Sequence, residues 1–589
     1  MLRIGFRGEV MTSGRSKTRP SRSDRGAGRK SAANREAWLH RWVKRIEHTP
    51  KAAHAIQWAV FGMAAVSLVY LQIVLYQHAG SFWRDETSSI QLARSNSLTE
   101  MWTRLDTDSF PALFVGLLRL WMATGLGASE AGIRLLGTTI SLGLVAAMAI
   151  SCRAFGVSLP LLAVALVGFN ATVFYSGSSI RAYGLAAALI VLCFAGFWRL
   201  AERPSLRAAS IALLLALLSV HANYQNCYLL LAIGIASAGV CAAARQWQRS
   251  LLVLGLCSLA AVSMLVYLPT ILSYKDTVTI SQFALDVTVI IAKLGEALAG
   301  DSAGLLMIWA ALLALAAGCL VAQYTGQRRA DVDERTPSPA LYCLLTISVA
   351  GVAAVVFFKV NRMFPFPWHY IPFIALLGLL AEIALRSSRY PIGATLIKAV
   401  VSCAVVATSW VPLWDSAHLR RTNLDLVSTI LVSKAGPRDL VLVSPFYLSP
   451  GFNYHYSGAA PWTTLPAIAT DPISRRAPFG PFRRLMMTPE PLEPTLRRIQ
   501  ETLESGFRLW VVGIVQFPQP GTVPPHLPPA PHSVYGWNNN AYASVWSMEL
   551  GGFLQAHANL IRGVQIQVNQ AVNPLENLSL LLVEGWRGP

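Results

Sequence analysis

The sequence predicts a polytopic α-helical membrane protein of about eleven transmembrane helices, followed by a C-terminal extracytoplasmic α/β domain. Three observations predict this fold class. Hydrophobic residues make up 54% of the 589 positions, charged residues only 13%, and the mean hydropathy is +0.45, values far more apolar than those of a soluble chain. Apolar runs recur from about residue 54 to 413, and polar, Pro-containing sequence returns after them.

The predicted spans are apolar runs of about 20 residues, the length that crosses a bilayer. One further run, 110–126, is shorter and contains Arg119. We expect it to form a helix in or near the outer interface, with Arg119 on its polar side. The eleven predicted spans are 54–76, 132–151, 157–175, 182–200, 207–223, 227–244, 251–273, 304–324, 340–358, 368–386 and 394–413.

Loop charge predicts the orientation, because Lys and Arg accumulate in cytoplasmic loops. If 110–126 does not cross, the basic turns all lie on the cytoplasmic side, and the opposite loops are poor in Lys and Arg. The loop 78–131 and the region 414–589 are then extracytoplasmic. The basic turns contain Arg153, Arg199, Arg203, Arg207, Arg245, Arg249, Arg328, Arg329, Arg335, Arg386 and Arg389.

Residues 1–50 are rich in Arg, Lys, Ser and Gly and have no apolar stretch, which predicts a disordered cytoplasmic tail. The net charge of +19 resides in this tail and in the short turns, so nucleic acid is not an expected partner. The eight cysteines lie in or beside apolar runs, without the spacing of a metal site or a disulfide framework. We expect them to be packing residues.

The transmembrane part is expected to cover 51–413, and the region 414–589 predicts a small α/β domain. Gly436-Pro437 and Gly506 end its two helical patterns, as short αβ connections require. We find no Ser/His/Asp arrangement and no Gly-rich phosphate loop in it, so its expected role is a supporting one, over the active site. Each helical pattern is followed by a β-like run, in the order 424–434, 440–443, 492–503 and 509–512.

The adjacent carboxylates Asp85 and Glu86 follow Trp83-Arg84 just after the first span. Charged groups near a bilayer are costly, so they are functional candidates. A cation at the outer boundary suits a phosphate head group, whereas a carboxylate suits deprotonation of a hydroxyl or binding of a divalent cation. The candidates on this side are Asp85, Glu86, Asp106, Asp108, Arg181, Tyr183, His221, Tyr224, Lys275, Asp276, Lys359, Arg362 and His369.

Structural roles compete with these functional ones. Asp85 is a candidate N-cap for a short helix through 87–93, and Asp108 is a candidate cap for the apolar helix that follows it. Three other candidates lie at span ends. There Arg181 can act as a snorkelling anchor, Tyr183 as an aromatic-belt residue and His221 as a structural histidine.

Several segments of the loop 78–131 carry a resemblance to a known family. They read Trp83-Arg84-Asp85-Glu86, then DSFPALF at 108–114, LRLW at 118–121, and GASE at 127–130 with Arg134. This pattern resembles the first extracytoplasmic loop of the GT-C glycosyltransferases, in the bacterial branch that includes dolichyl-phosphate-mannose mannosyltransferase and aminoarabinose transferase relatives. The similarity continues at Arg181-Ala182-Tyr183 and at His221, and the layout of spans and outer domain matches.

The resemblance implies an inverting glycosyltransferase on the periplasmic face of a bacterial inner membrane. It takes a sugar from a polyprenyl-phosphate donor and places it on a lipid, polysaccharide or protein acceptor. Asp85 is then the catalytic base and Glu86 its auxiliary. Arg181 and Arg362 are then the residues that bind the donor phosphate. The remaining expected substrate-binding residues are Asp108, Tyr183, His221, Lys359 and His369.

The chain departs from the family pattern in ways that bear on a metal. Phe110 and Ala112 stand where relatives often have His and a second Pro, and Ser179 stands where relatives often have an acidic residue. We therefore expect Asp85 to act without a required cofactor. A divalent cation, Mg or Mn, at Asp85 and Glu86 is the alternative.

Two other classes of protein stay open at this point. One is a transporter or flippase of lipid-linked glycans, and the other is a non-catalytic scaffold for envelope assembly. Against a transporter, the sequence has no internal repeat with matching Gly or Pro breaks, and its charges collect on the outer side.

Overall fold

The computed structural model describes residues 50–588, except 106–107, 278–284, 330–335, 362, 387–390, 469–478, 520, 523–524 and 531–538. The predicted tail lies outside the described residues, as do Asp106 and Arg362. The described chain forms a helical bundle and, after it, a smaller sheet domain.

The bundle contains most of the helices. Nine helices of the described chain are long and apolar enough to cross a membrane, by length and composition. In chain order the bundle helices are α1 (Pro50–His78), α2 (Arg84–Ala93), α3 (Leu98–Thr103), α4 (Ala112–Ala123), α5 (Glu130–Ala154), α6 (Leu161–Gly168), α7 (Ala171–Gly177), α8 (Tyr183–Glu202), α9 (Leu206–Ala222), α10 (Asn226–Ala243), α11 (Trp247–Ser263), α12 (Leu268–Thr277), α13 (Val287–Ala299), α14 (Ala303–Arg329), α15 (Pro339–Asn361), α16 (Ile371–Ala384) and α17 (Pro391–Ala417).

Ten of the eleven predicted spans coincide with a helix of the described chain, although α9, which covers the run 207–223, has only 17 residues. One predicted span differs from the structure. The run 157–175 is not one helix but two, α6 and α7, separated at Phe169-Asn170. Asn170 explains the break, because its side-chain oxygen accepts a hydrogen bond from Val173 N at 2.9 Å and so caps α7.

The same Asn170 side chain also closes the end of another helix. Its Nδ2 donates to the carbonyls of Ala297 and Leu298, both at 2.9 Å, in the last turn of α13. Helix ends leave carbonyls without partners inside the helix. One buried amide therefore satisfies two helix termini and fixes α7 against α13.

We expect Asn170→Ala to lower the free energy of unfolding by about 1–3 kcal/mol, because a cap is lost and buried carbonyls lose their donor. Thermal unfolding of the purified protein in detergent measures the effect. Ser205→Ala is the matched control, since Ser205 is an exposed N-cap whose contact to Ala208 N water can replace. Equal losses in both variants would contradict the double role of Asn170.

A buried ion pair inside the bundle has no counterpart in the sequence predictions. Glu382 of α16 contacts Lys398 of α17 at 2.6 Å, and both side chains are buried. The other carboxylate oxygen of Glu382 accepts from Leu162 N at 2.6 Å and Ala163 N at 3.1 Å, at the positive end of α6. Since both carboxylate oxygens of Glu382 have partners, the pair links α6, α16 and α17.

The second part of the chain folds as the predicted α/β domain. The domain's elements are α18 (Leu424–Lys434), β1 (Leu440–Ser444), α19 (Ser449–His455), β2 (Trp462–Thr464), α20 (Phe479–Met486), α21 (Glu493–Glu504), β3 (Leu509–Gly513), α22 (Asn539–His557), β4 (Ala558–Gly563) and β5 (Leu580–Trp586). Strand order is β2-β1-β3-β5-β4, with β1 parallel to β2 and β3, and with β5 antiparallel to β3 and β4. The predicted helix–strand pairs are confirmed.

This domain packs directly on the loop 78–131. Helix α19 lies against α2, where Gln91 donates to the carbonyl of Pro450 at 3.1 Å and His455 Nε2 donates to that of Phe82 at 3.1 Å. Arg421 N donates to the carbonyl of Ala79 at 2.8 Å. The loop is thus held between the bundle and the sheet domain.

Candidate active site

The tetrapeptide 83–86 forms the start of helix α2. Trp83 is the N-cap residue, and Arg84, Asp85 and Glu86 fill the first helical turn. Acidic side chains are favoured here because the first backbone N–H groups have no partner within the helix and the helix dipole is positive. The sequence offered Asp85 as a candidate N-cap of this helix. That interpretation is wrong, because the N-cap is Trp83.

Glu86 is a buried structural carboxylate. Its Oε2 accepts from Trp83 N at 3.3 Å, which caps α2, and its Oε1 accepts from Ile180 N at 2.9 Å. The guanidinium of Arg421 lies 3.7 Å from Oε1 and stacks 4.5 Å from the ring centre of Tyr175. Glu86 thereby joins α2, the loop before α8 and the sheet domain.

Asp108 is the buried partner of Arg181. Its Oδ1 contacts Arg181 Nη1 at 2.7 Å, and its Oδ2 accepts from Ser89 Oγ at 2.6 Å. The sequence suggested Asp108 as the cap of α4. The N-cap of that helix is instead Pro111. The ion pair holds the loop 78–131 to the start of α8.

Arg181 also supports the catalytic candidate directly. Its Nη1 donates to the main-chain carbonyl of Asp85 at 3.0 Å and to Ser89 Oγ at 3.0 Å. Its guanidinium lies 4.6 Å from the ring centre of Phe110, and that ring packs edge-to-face on Tyr183 at 5.0 Å. Phe110, which stands where relatives often have His, thus supplies a cation–π surface.

Asp85 differs from the carboxylates around it by its exposure. Its side chain is 36% exposed, whereas those of Glu86 and Asp108 are each 1% exposed. Its Oδ1 lies 3.5 Å from Arg84 Nε. Of these three carboxylates, Asp85 is the one that a substrate hydroxyl can reach.

The other motif residues hold the ends of α2 in place. Arg134 donates to the carbonyl of Gly80, and Glu130 accepts from Ser81 Oγ at 3.0 Å. Arg119 Nη1 donates to the carbonyl of Ala93 at 2.9 Å, at the last residue of α2. The helix that contains Arg119 has only 12 residues, about 18 Å, which is too short to cross a bilayer.

The remaining predicted residues lie in other clusters. His221 contacts the hydroxyl of Tyr267 at 2.8 Å and that of Ser263 at 3.1 Å. The Tyr267 hydroxyl also accepts from Ala112 N at 3.3 Å, so this cluster adjoins the start of α4. His221 is therefore next to the loop but does not contact the carboxylate group.

Lys359 and His369 belong to a third cluster. Lys359 is exposed near the end of α15, and its charge acts on Asp286. His369 Nδ1 accepts from Phe366 N at 3.2 Å, within a short 3-10 turn at Pro367–Tyr370 that packs against α7 and α13. Arg362, expected between them, lies outside the described residues, and the side chains of Lys275 and Asp276 are likewise not described.

Two residues of the site come from the C-terminal domain and were missed by the sequence analysis. Glu576 Oε1 accepts from Arg84 N at 3.2 Å, and Arg421 contacts Glu86 as described above. A signal for Arg421 was present, since Arg420-Arg421 follow the last span on the side where Lys and Arg are otherwise scarce. Glu576, 492 positions from Arg84, has no local signal.

The carboxylates at this site are engaged by other groups. A divalent cation at Asp85 and Glu86, the alternative from the sequence, would have to compete with these partners for the carboxylate oxygens. Here Glu86 and Asp108 already accept hydrogen bonds from backbone, serine and guanidinium donors, and Asp85 has Arg84 beside it. Within the described ranges no group of three or more His, Cys, Asp or Glu is placed to hold a metal ion.

Fold and site together define a multi-pass membrane protein that presents the exposed carboxylate of Asp85 at the junction of its bundle and its sheet domain. No protein-family model matches the chain, and no curated protein matches it. Solved structures do show similarity, and they include an oligosaccharyltransferase and an arabinofuranosyltransferase.

Three of these structures illustrate the level of similarity. ArnT from Cupriavidus metallidurans, bound to undecaprenyl phosphate, has 14% identity and a TM-score of 0.48, covering 77% of this chain and 93% of its own. The oligosaccharyltransferase AglB from Archaeoglobus fulgidus, in complex with an inhibitory peptide and a dolichol-phosphate, has 10% identity and a TM-score of 0.44, covering 77% and 69%. The arabinofuranosyltransferase AftD from Mycobacteria has 14% identity and a TM-score of 0.43, covering 89% and 40%. At these values the likeness concerns the fold alone.

Proposed function

We propose that the protein is an inverting glycosyltransferase that moves a sugar from a polyprenyl-phosphate donor to an acceptor hydroxyl or amide on the periplasmic face of a bacterial inner membrane. The observation that carries the proposal is the exposure of Asp85 in a group of carboxylates that are otherwise buried and paired. The family resemblance of the loop 78–131 supplies the donor class. The sheet domain faces the periplasm in this proposal, as the loop charges indicate.

Asp85 acts as the general base in the proposed reaction. It takes the proton of the acceptor group, whose oxygen or nitrogen attacks the anomeric carbon of the donor sugar. The bond from that carbon to the phosphate oxygen breaks on the opposite face, so the configuration inverts. The products are the glycosylated acceptor and the polyprenyl phosphate, and the proton remains on Asp85 until solvent removes it.

Cations are needed where charge develops on the leaving phosphate. Arg181 and Arg362 remain the proposed contacts, with Lys359 nearby in sequence. A guanidinium has five N–H donors, and Arg181 uses Nη1 to hold Asp108. In this geometry Arg181 has a second task, because it also fixes the backbone of Asp85.

Lipid-linked sugars provide the test of the proposal. Mass spectrometry of lipid extracts and envelope glycans, with and without the gene, should show a polyprenyl-phosphate sugar that accumulates when the protein is missing and a glycan that disappears. The same donor, added to the purified protein in vesicles, should then be consumed. Unchanged lipid-linked sugars and unchanged glycans would count against a transferase and for a scaffold.

We expect the reaction to need no divalent cation, because the carboxylates around Asp85 are already bound by N–H and O–H donors. Dialysis of the purified protein against EDTA should leave the transfer rate within about twofold, since Glu86 would have to give up these donors in order to bind Mg or Mn. The rate before and after dialysis, and after Mg or Mn is restored, measures this. A loss that Mn reverses would show that the side chains rearrange around a metal.

A further inference from the structure

Glu576 joins the sheet domain to the first turn of α2. It lies in the turn that precedes β5, and its side chain is fully buried. Its Oε1 accepts from Arg84 N at 3.2 Å and lies 3.9 Å from Arg84 Nε. It therefore satisfies an N–H at the start of α2 that has no partner within the helix.

Arg84 is shared between two carboxylates. The Nε that lies 3.9 Å from Glu576 lies 3.5 Å from Oδ1 of Asp85. The guanidinium is held in this position by the ring of Tyr447, whose centre is 4.7 Å away. One cation thus couples a buried carboxylate of the sheet domain to the exposed carboxylate of the loop 78–131.

The turn that contains Glu576 is itself held firmly. The main-chain carbonyl of Glu576 accepts from Asn423 N at 3.3 Å, and Asn423 Oδ1 accepts from Leu578 N at 2.8 Å. On the other side, Gln570 donates to the carbonyl of His78. The position of Glu576 relative to α2 is therefore defined by contacts on both sides of it.

We propose that Glu576 is a positioning residue for Asp85, which sets the charge balance of Asp85 through the shared Arg84. The inference rests on the proposed role of Asp85 as base. When Glu576 is ionised, it competes for Arg84, and Asp85 becomes the stronger base. When Glu576 is neutral, Arg84 stabilises the carboxylate of Asp85 alone, and Asp85 is a weaker base.

The surroundings of Glu576 allow it to change charge near neutral pH. Burial raises the pKa of Glu576 to about 7, against the opposing effects of the Arg84 charge and of hydrogen bonds from Arg84 N and Thr422, while the charge of Asp85 raises it further. The phenol of Tyr175 is another titratable group that interacts with Glu576. Transfer should accordingly speed up as Glu576 ionises.

The pH profile of transfer by Glu576→Gln, at full chain length, tests the inference. For wild type we expect kcat to rise about three- to tenfold between pH 6 and pH 8, because ionised Glu576 competes for Arg84 and leaves the carboxylate of Asp85 freer to take the acceptor proton. In Glu576→Gln this rise should disappear while KM for the donor stays unchanged. A buried residue needed only for folding would lower the rate at every pH alike.

Two further variants sharpen the test. Glu549→Gln is the matched control, because Glu549 is also a carboxyl of the sheet domain whose pKa burial raises, and its partner is His526, away from α2. It should keep the wild-type profile. If Glu576→Gln does not fold, Arg84→Gln removes the shared cation instead and should also abolish the rise. A wild-type profile in Glu576→Gln, or in a folded Arg84→Gln, would overturn the inference.

Unfolding measurements separate this inference from the proposed function. The pKa of Glu576 is raised in the folded protein, so protonation of Glu576 stabilises the fold. This contribution to the free energy of unfolding is fully present below the ordinary pKa of Glu and is lost as pH rises through about 7. The Tm of wild type relative to Glu576→Gln should therefore fall between pH 5 and pH 8. A flat difference overturns the inference whatever the activity, whereas a falling difference without any sugar transfer overturns the proposed function and, with it, the coupling to Asp85.

Discussion

Replacement of Asp85 by asparagine should lower the transfer rate by about 10²–10⁴-fold, the range over which general-base catalysis contributes. Asparagine keeps the size of the side chain but cannot accept a proton. The contact that fixes this residue, from Arg181 to its main-chain carbonyl, does not depend on the side chain. The fold should therefore be preserved.

The rate is measured with the lipid-linked donor and purified protein, and folding is checked by thermal unfolding in detergent. Glu100→Gln is the matched control, since Glu100 is another acid of the loop 78–131, at 2.8 Å from Arg104. Pairs with this degree of exposure contribute only about 0–1 kcal/mol, so this variant should transfer sugar at the wild-type rate. An Asp85→Asn protein that is folded and active would remove Asp85 from the mechanism.

The second large effect is expected for Arg181→Met. Asp108 would then keep a buried carboxylate without its cation, and a broken buried pair costs about 3–5 kcal/mol. The pair is buried on both sides, with side-chain exposures of 5% for Arg181 and 1% for Asp108. The free energy of unfolding should fall by that amount, and transfer should be lost as well, because the backbone of Asp85 loses its support.

A double-variant cycle identifies the pair as the cause. Asp108→Asn combined with Arg181→Met removes both charges and should regain most of the lost stability while transfer stays low. Arg104→Met breaks the partly exposed pair with Glu100 and should cost less than about 1 kcal/mol. If Arg181→Met and Arg104→Met lose the same free energy of unfolding, the Asp108 carboxylate is hydrated in solution and is not a buried charge.

The sequence singled out residues 83–86 because their features are local. Two adjacent acids indicate a nearby helix start regardless of what surrounds them, and in the structure Asp85 and Glu86 fill the first turn of α2, which begins at Arg84 and not after Asp85. The helix–strand pairs of the sheet domain were predictable for the same reason. Span length and loop charge are also local properties, and nine of the eleven predicted spans coincide with helices of the described chain that are long and apolar enough to cross a membrane.

The division of roles between Asp85 and Glu86 was not local. Glu86 is buried because Ile180, 94 positions away, and Arg421 meet it in space. Likewise, the break in the run 157–175 depends on Asn170 finding the end of α13, some 127 positions away. Hydrophobicity alone predicts a continuous span there, because it carries no information about the hydrogen-bond partners of the Asn170 side chain.

The sequence by itself determined that this is a multi-pass membrane protein, that a small α/β domain follows the bundle, and that two adjacent acids, Asp85 and Glu86, stand just after the first span. These properties follow from composition, periodicity and neighbouring residues. Only the tertiary structure decided which acid stays exposed, that Asp108 pairs with Arg181, and that Glu576 contacts Arg84 from 492 positions away. The reason is physical: burial and charge pairing depend on distances in space, which residues far apart in the chain acquire only when it folds.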